Sequence, residues 1–163
     1  MKWLITLAAL LLCSLAYGQE LLIDDTERDV IWFNVYQSEL TQDDVLEHLL
    51  TYAPVKNVVT HRDMIVCDLI PTKLDYEGAG YNKMHISMYL LNGKFGGRLI
   101  LRFKEGRYKA EVIHTYFTDS EGPMYGKTSA FEYSGSTHFD VTAYLIMQYL
   151  TRLLDFKPID NEW

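Results

Sequence analysis

The sequence predicts an α+β domain: an antiparallel β-sheet meander with two helices packed on one face. Segments 98–104 and 107–117 alternate apolar and polar residues, as strands do when one sheet face is packed and the other faces water. Two other segments carry helix signals, one before the meander and one after it. A chain of 163 residues removes about 70% of its unfolded surface from water on folding, so one self-sufficient core is expected.

The first 18 residues have the layout of a secretory signal peptide. Lys2 precedes an apolar stretch at 4–12, and small residues follow at Ala16–Gly18. The apolar stretch is shorter than the roughly 20 residues of a membrane-spanning helix. We therefore expect cleavage after Gly18, no transmembrane anchor in the mature chain, and a periplasmic or extracellular location. Lipidation of Cys13 is the weaker alternative, because Leu12 stands where a lipoprotein signal has a small residue.

The mature chain is expected to begin with a loose acidic arm at 19–29, followed by one α+β domain at 30–157 and an acidic tail at 158–163. Residues 30–36 are rich in β-branched and aromatic types and predict the first strand. The first helix then follows. Its predicted N-cap is Thr41, and Pro54 ends it.

This helix carries further signals at its start and along one side. Asp43 and Asp44 fall in the first turn, where the helix dipole favours negative charge, and Leu40 and Val45 have the spacing of a hydrophobic staple. A stripe with spacings of three to four residues is expected to face the sheet; it comprises Val45, Leu46, Leu49, Leu50 and Ala53.

The remaining elements are expected in the following order. A hairpin of 58–60 and 64–70 turns at 61–63; a loop at 73–83 precedes a strand at 85–91. Asn92-Gly93 and Glu105-Gly106 predict turns before and between the two alternating strands. A long polar connection at 119–136 leads to the closing helix at 141–156, which is opened by Thr137-His-Phe-Asp140, a capping-box pattern.

This order of elements resembles an uncharacterised secreted bacterial family, a domain of unknown function with a TBP-like fold. The resemblance is carried by the loop Tyr76-Glu-Gly-Ala-Gly80, the meander segment 99–109 and the closing helix, and it covers most of 30–156. It implies an envelope or secreted protein with a curved sheet and helices on one side. It brings no catalytic residues.

Charge and cysteine content exclude several classes of function. A net charge of −7 disfavours phosphate backbones and anionic lipid, so nucleic acid is not expected as a partner, and no basic saddle for DNA is expected. Cleavage of the signal leaves Cys67 as the one cysteine, which cannot form an intramolecular disulfide. We predict that Cys67 is a small buried residue rather than a nucleophile.

Other candidate sites are each weaker than their structural interpretation. The segment 122–128 departs from the phosphate-binding loop pattern by one residue, and Ser134-Gly-Ser136 lacks the setting of a serine nucleophile. The pairs His61/Asp63 and His138/Asp140 have a spacing that allows metal binding on a strand, but turn and cap roles explain both aspartates. No metal or other cofactor is therefore expected.

Tyrosines in the two long loops are the remaining candidates for function. Because tyrosine combines an apolar ring with a polar tip, four of them are predicted to line a binding surface: Tyr76, Tyr81, Tyr125 and Tyr133. The leading hypothesis is an exported, non-catalytic interaction or ligand-binding module with an unknown envelope protein or glycan as partner. The alternatives are a small envelope hydrolase, assisted by metal at the His/Asp pairs, and a structural subunit of an envelope assembly.

Overall fold

A computed structural model of the chain describes residues 19–119, 126–134 and 139–156. These residues form an α+β domain with one seven-stranded antiparallel sheet. The strands are β1 (Glu20–Asp24), β2 (Asp29–Gln37), β3 (Val55–His61), β4 (Met64–Leu69), β5 (Lys94–Lys104), β6 (Arg107–Asp119) and β7 (Gly126–Ser129). The helices are α1 (Gln42–Tyr52), α2 (Met88–Asn92) and α3 (Phe139–Leu154), with 3₁₀ turns at Lys83–His85 and Ala130–Tyr133. Among the described helices, none is long and apolar enough to cross a membrane.

Strand β6 lies at the centre of the sheet, whose order is β1-β2-β6-β5-β4-β3. One edge of β6 pairs with β5 along almost its whole length. The other edge is shared, because β2 pairs with its first half, 107–112, and β7 with its last residues, 116–119. Since β2 and β3 run parallel with three strands between them, α1 connects them across the sheet.

Both long helices pack on the same sheet face and share its core. The alternating residues of β5 and β6 fill the centre of that core, and the largest buried side chain is Trp32 of β2. The hydroxyl group of Tyr108 on β6 donates a hydrogen bond to the carbonyl oxygen of Leu154 at 2.7 Å, which ties the end of α3 to the sheet. From α1, Val45 and Leu49 are fully buried.

Locally encoded features agree with the sequence prediction. Thr41 caps α1 in a capping box with Asp44, whose backbone N–H lies 3.2 Å from the Thr41 hydroxyl oxygen that accepts its hydrogen bond. The Asp44 carboxylate in turn accepts from the Thr41 backbone N–H at 2.8 Å. The two-residue turn Glu105-Gly106 joins β5 and β6, with Gly106 at φ 69°, a conformation that glycine adopts without a steric penalty.

The prediction of a loose acidic arm at 19–29 is wrong for most of that segment. Residues 20–24 form edge strand β1, which pairs with residues 29–33 of β2. The connecting turn is held by the Asp24 side chain, which accepts hydrogen bonds from the backbone N–H groups of Thr26 and Glu27. The apolar Leu21 packs against the core, and this contact outweighs the acidic composition.

Two further expectations, a strand at 85–91 and an irregular connection at 119–136, differ from the structure. The first contains a 3₁₀ turn and α2, separated by the extended residue Ile86, and both Ile86 and Leu90 are buried. The second contains β7 and a 3₁₀ turn. β7 forms by pairing with a distant strand, which residue patterns along the chain do not encode.

Smaller differences concern helix faces and boundaries. Leu50, expected to face the sheet, is 64% exposed, so the apolar stripe of α1 is narrower than predicted. Helix α3 begins at Phe139 with Asp140 in its first turn, whereas its expected cap, Thr137, lies outside the described residues. The signal segment 1–18 and the tail 158–163 also lie outside them.

Candidate functional site

The face of the sheet opposite the helices, here called the open face, carries most of the charged strand residues. Leu99 and Leu101 are buried in the core. Because side chains alternate along a strand, Arg98, Ile100 and Arg102 lie on the open face. Register places further cations there from neighbouring strands. The cationic residues of the open face are Lys56, Lys94, Arg98, Arg102, Lys104, Arg107, Lys109 and Lys127.

The open face is therefore locally basic although the whole chain is acidic. The chain has 15 lysines and arginines and a net charge of −7, and more than half of those cations lie on this one face. Register places the carboxylates Glu20, Asp24, Asp29, Asp68 and Glu111 on the same side of the sheet, and of these Asp29 is buried. The acidic residues that set the overall net charge are distributed over the rest of the molecule.

Asp68 and Glu111 are already engaged by neighbouring cations. Arg98 Nε lies 3.1 Å from Asp68 Oδ1, and Glu111 lies within 3.1 Å of Lys109 Nζ and 3.9 Å of Arg102 Nη1. All three cations are 40–51% exposed, so each pair contributes about 0–1 kcal/mol to stability. These pairs orient the cations more than they stabilise the fold.

Aromatic rings on the same face support two of the lysines. Lys109 Nζ lies 4.9 Å from the centre of the Phe33 ring, and Lys127 Nζ lies 4.4 Å from that of Tyr116. Such cation–π contacts are worth about 0.5–1 kcal/mol at exposed sites. The Tyr116 ring in turn covers Gly96 on β5, where a Cβ atom would come within 2.8 Å of the ring.

The sheet becomes irregular where β2 ends and β7 begins. Between Arg98/Ile113 and Gly96/Tyr116 the register advances by two residues on β5 and three on β6, which is a β-bulge. His114 takes the bulged position with φ 51°, a left-handed conformation that is rare for residues with a side chain. Backbone N–H groups of the bulge therefore lack partners from β2 or β7.

The buried carboxylate of Asp29 supplies those missing partners. Its Oδ1 accepts hydrogen bonds from the N–H groups of Val30 at 2.8 Å and Thr115 at 3.1 Å, and its Oδ2 accepts from the N–H of His114. The Thr115 hydroxyl group donates to the Val30 carbonyl oxygen at 2.8 Å. Asp29, 6% exposed, thus holds the first residue of β2 against the bulge of β6.

A polar cleft of about 530 Å³ opens on the open face beside this bulge. It is lined by Lys56, Asn57, Asp68, Gly97, Arg98, His114, Tyr116 and Lys127. Asn57 Nδ2 donates to Asp68 Oδ2 at 2.9 Å while Arg98 holds Oδ1. The hydrogen bond from Asn57 and the charge of Arg98 keep the pKa of Asp68 below its ordinary value.

Within the described residues, the four predicted tyrosines are not seen together on one surface. Tyr76 is 6% exposed and belongs to the core, with its hydroxyl group 3.3 Å from Glu77 Oε1. Tyr81 is half-buried and makes an edge contact with the ring of Tyr144 on α3. Tyr133 lies in the 3₁₀ turn Ala130–Tyr133, where the structure describes its backbone but not its side chain. Tyr125 lies outside the described residues. A shared tyrosine surface stays a prediction.

The other candidates from the sequence have the following places. His61 and Asp63 lie at the exposed turn between β3 and β4, Asp140 begins α3, and His138 lies outside the described residues. Within the described ranges, no group of three histidine, cysteine or acidic residues is arranged to hold a metal ion. Of the segment 122–128, which is similar to a phosphate-binding loop, residues 126–128 form part of β7 and residues 122–125 lie outside the described residues. Residues 135–136 of the serine candidate also lie outside them.

Cys67 has the environment of a structural residue. It is 1% exposed in the core on β4, and burial raises its thiol pKa to about 12, with a smaller contribution from the charge of Asp68. Because the thiolate is the nucleophilic form, this environment keeps the sulfur unreactive near neutral pH.

Comparison of the chain with protein-family models, curated proteins and solved structures found no match.

This cleft was not predicted from the sequence, although part of its signal is present there. Arg98, Arg102 and Lys104 recur at every second position of β5, which marks a cationic strand face. Lys56 and Lys127 gave no such signal, because only strand pairing brings them near Arg98. The expectation that the chain lacks a basic saddle for DNA came from net charge, which averages over both sides of the molecule and therefore does not indicate the cations of the open face.

Proposed function

We propose that the chain is an exported, non-catalytic interaction module that binds a negatively charged partner in the bacterial envelope through its open face. The observation that carries the proposal is the segregation of cations onto one sheet face of an acidic protein. We also propose that the sheet, with helices on one side, has the TBP-like fold of the secreted family that the sequence resembles.

Charge segregation has a physical consequence for association. A surface with one sign of charge attracts partners of the opposite sign and orients them during the encounter. The negative charge elsewhere disfavours approach of the same partner to the remaining surface. An anionic partner is thus directed to the open face, where lysine side chains lie over the rings of Phe33 and Tyr116.

The face of contact can be tested by photo-crosslinking in cells that make the protein. A photoreactive residue at Val59 would report on the open face, and one at Leu50 on the outer side of α1. The two are matched controls, since both are apolar and are 51% and 64% exposed. We expect adducts from Val59 only.

Charge dependence is tested by adding Arg102→Glu and Lys109→Glu to the Val59 probe. These reversals should abolish the adducts, and added salt should weaken them because exposed charges are screened within about 10 Å at 0.1 M. Equal adducts from both probe positions, or adducts that survive the charge reversals, would contradict the proposal. Circular dichroism of the reversed variant confirms that it is folded.

A further inference from the structure

The cleft beside the β6 bulge lies where two strands, β3 and β6, depart from regular geometry. Of the described non-glycine residues, Arg28, Asn57 and His114 have positive φ, and the last two line the cleft. Both sit at register shifts, one in β3 and one in β6 opposite Gly97. Left-handed backbone costs roughly 1 kcal/mol per residue and concentrates at binding and active sites.

Cationic groups dominate the chemistry of the cleft. Lys56, Arg98 and Lys127 line it with one carboxylate, Asp68, whose two oxygens are occupied by Arg98 and Asn57. Asp68 therefore acts as a support for the guanidinium group. Arg98 uses Nε for this contact, and within the described residues neither of its terminal nitrogens makes a hydrogen bond.

The remaining lining groups position charge at the rim. The ring of Tyr116 lies over Gly96 and holds the Lys127 ammonium group 4.4 Å from its centre. A side chain at Gly97 would meet Val112 and the Ile113 carbonyl oxygen, so glycine keeps the floor close to β6. His114 adds an exposed imidazole at the bulge.

We propose that this cleft binds the phosphate group of a phosphomonoester, and this assignment rests on the proposed function of the open face. The guanidinium fork of arginine matches two oxygens of a phosphate. The cleft has three cations and one carboxylate, which is already hydrogen-bonded. This excess of positive charge is more than a ligand with a single carboxylate needs, and it suits a phosphomonoester, which carries about −1.5 to −2 charges near neutral pH. The volume lies in the range of small-molecule sites, and its polar lining suits a polar body on the phosphate.

The test is calorimetric titration of the mature chain with glycerol 3-phosphate, with inorganic phosphate and with glycerol. Phosphate-bearing probes should bind and glycerol should not. Vesicles of phosphatidylcholine with and without phosphatidic acid separate the two sources of a phosphomonoester. Binding to the acidic vesicles alone identifies a lipid headgroup, whereas binding of free glycerol 3-phosphate identifies a soluble ligand.

Arg98→Gln and Arg102→Gln form the decisive pair of variants. Both arginines lie on the open face of β5, are 51% and 49% exposed and pair with one carboxylate, but only Arg98 lines the cleft. Arg98→Gln should weaken binding about tenfold or more, as expected for the loss of one charge-assisted contact, and Lys127→Gln should act in the same direction. Arg102→Gln should leave the affinity within about twofold of the parent value.

Three results would overturn the site. One is the absence of phosphate binding, and another is an equal loss in the Arg98 and Arg102 variants. The third is tighter binding of a single-stranded oligonucleotide that depends on both arginines, which would indicate diffuse contact with a phosphate backbone. If phosphate fails while the Val59 adducts persist, the phosphate assignment alone is wrong. If those adducts are also absent, the proposed function fails with it.

Discussion

Replacement of Asp29 by alanine is expected to destabilise the fold strongly, although Asp29 lies outside the central core cluster. Its carboxylate accepts hydrogen bonds from the N–H groups of Val30, His114 and Thr115. After Asp29→Ala these donors have no acceptor, and those of Val30 and Thr115 are buried. A hydrogen bond to a charged group contributes about 1.5–3 kcal/mol, and such contributions do not add fully when they share one acceptor.

We therefore expect Asp29→Ala to lower the free energy of unfolding by roughly 3 kcal/mol, and Asp29→Asn by about half as much because one oxygen remains. The measurement is urea denaturation followed by tryptophan fluorescence, with the slope against urea unchanged. Asp25→Ala, an exposed carboxylate in the preceding turn, is the matched control and should change stability by less than about 0.5 kcal/mol. An Asp29→Ala variant as stable as that control would refute the role of Asp29 in supporting the bulge.

Three further predictions follow from buried and paired groups. Tyr108→Phe removes the hydrogen bond to Leu154 and should lower the unfolding free energy by about 1–2 kcal/mol in the same urea assay, with no loss of helix by circular dichroism. Cys67 should react with a thiol reagent at neutral pH only after denaturation, and rapid labelling of the native chain would contradict its buried position. The lowered pKa of Asp68 stabilises the folded chain at pH values above the ordinary aspartate pKa, and this stability is lost as pH falls through the pKa of the folded state. Melting curves of Asp68→Asn should therefore converge with those of the parent in acid. A constant difference between the two from pH 7 to pH 2 would contradict this.

Features encoded by neighbouring residues could be predicted from the sequence. The N-cap at Thr41 and the Glu105-Gly106 turn depend on residues within a few positions of one another. Alternation along 98–104 and 107–113 likewise identified the packed and solvent-facing sides of β5 and β6. It fails after Ile113, because the bulge exposes His114, which the alternation placed on the packed side, and buries Thr115 and Phe117. These elements agree because local geometry and side-chain type lead to the same structure.

Features that arise from pairing between distant segments could not be predicted in this way. β1 and β7 gain their strand conformation from β2 and β6, and the cleft gains Lys56 and Lys127 from strands on opposite sides of Arg98. The buried role of Asp29 depends on a bulge in β6, far along the chain. The acidic composition of 19–29 predicted that Asp29 belongs to a loose arm, because composition does not indicate which carboxylate will accept hydrogen bonds from unpaired N–H groups.

The shared edge of β6 has a consequence for the order in which the chain folds. The β5–β6 hairpin closes over a two-residue turn and can form early, whereas β2 reaches β6 only after the whole intervening chain, with α1, β3, β4 and β5, has been brought into place. β7 follows β6 closely in sequence and competes for the same edge. By ending the β7 pairing at Tyr116, the bulge at His114 keeps the first half of that edge vacant for the late arrival of β2.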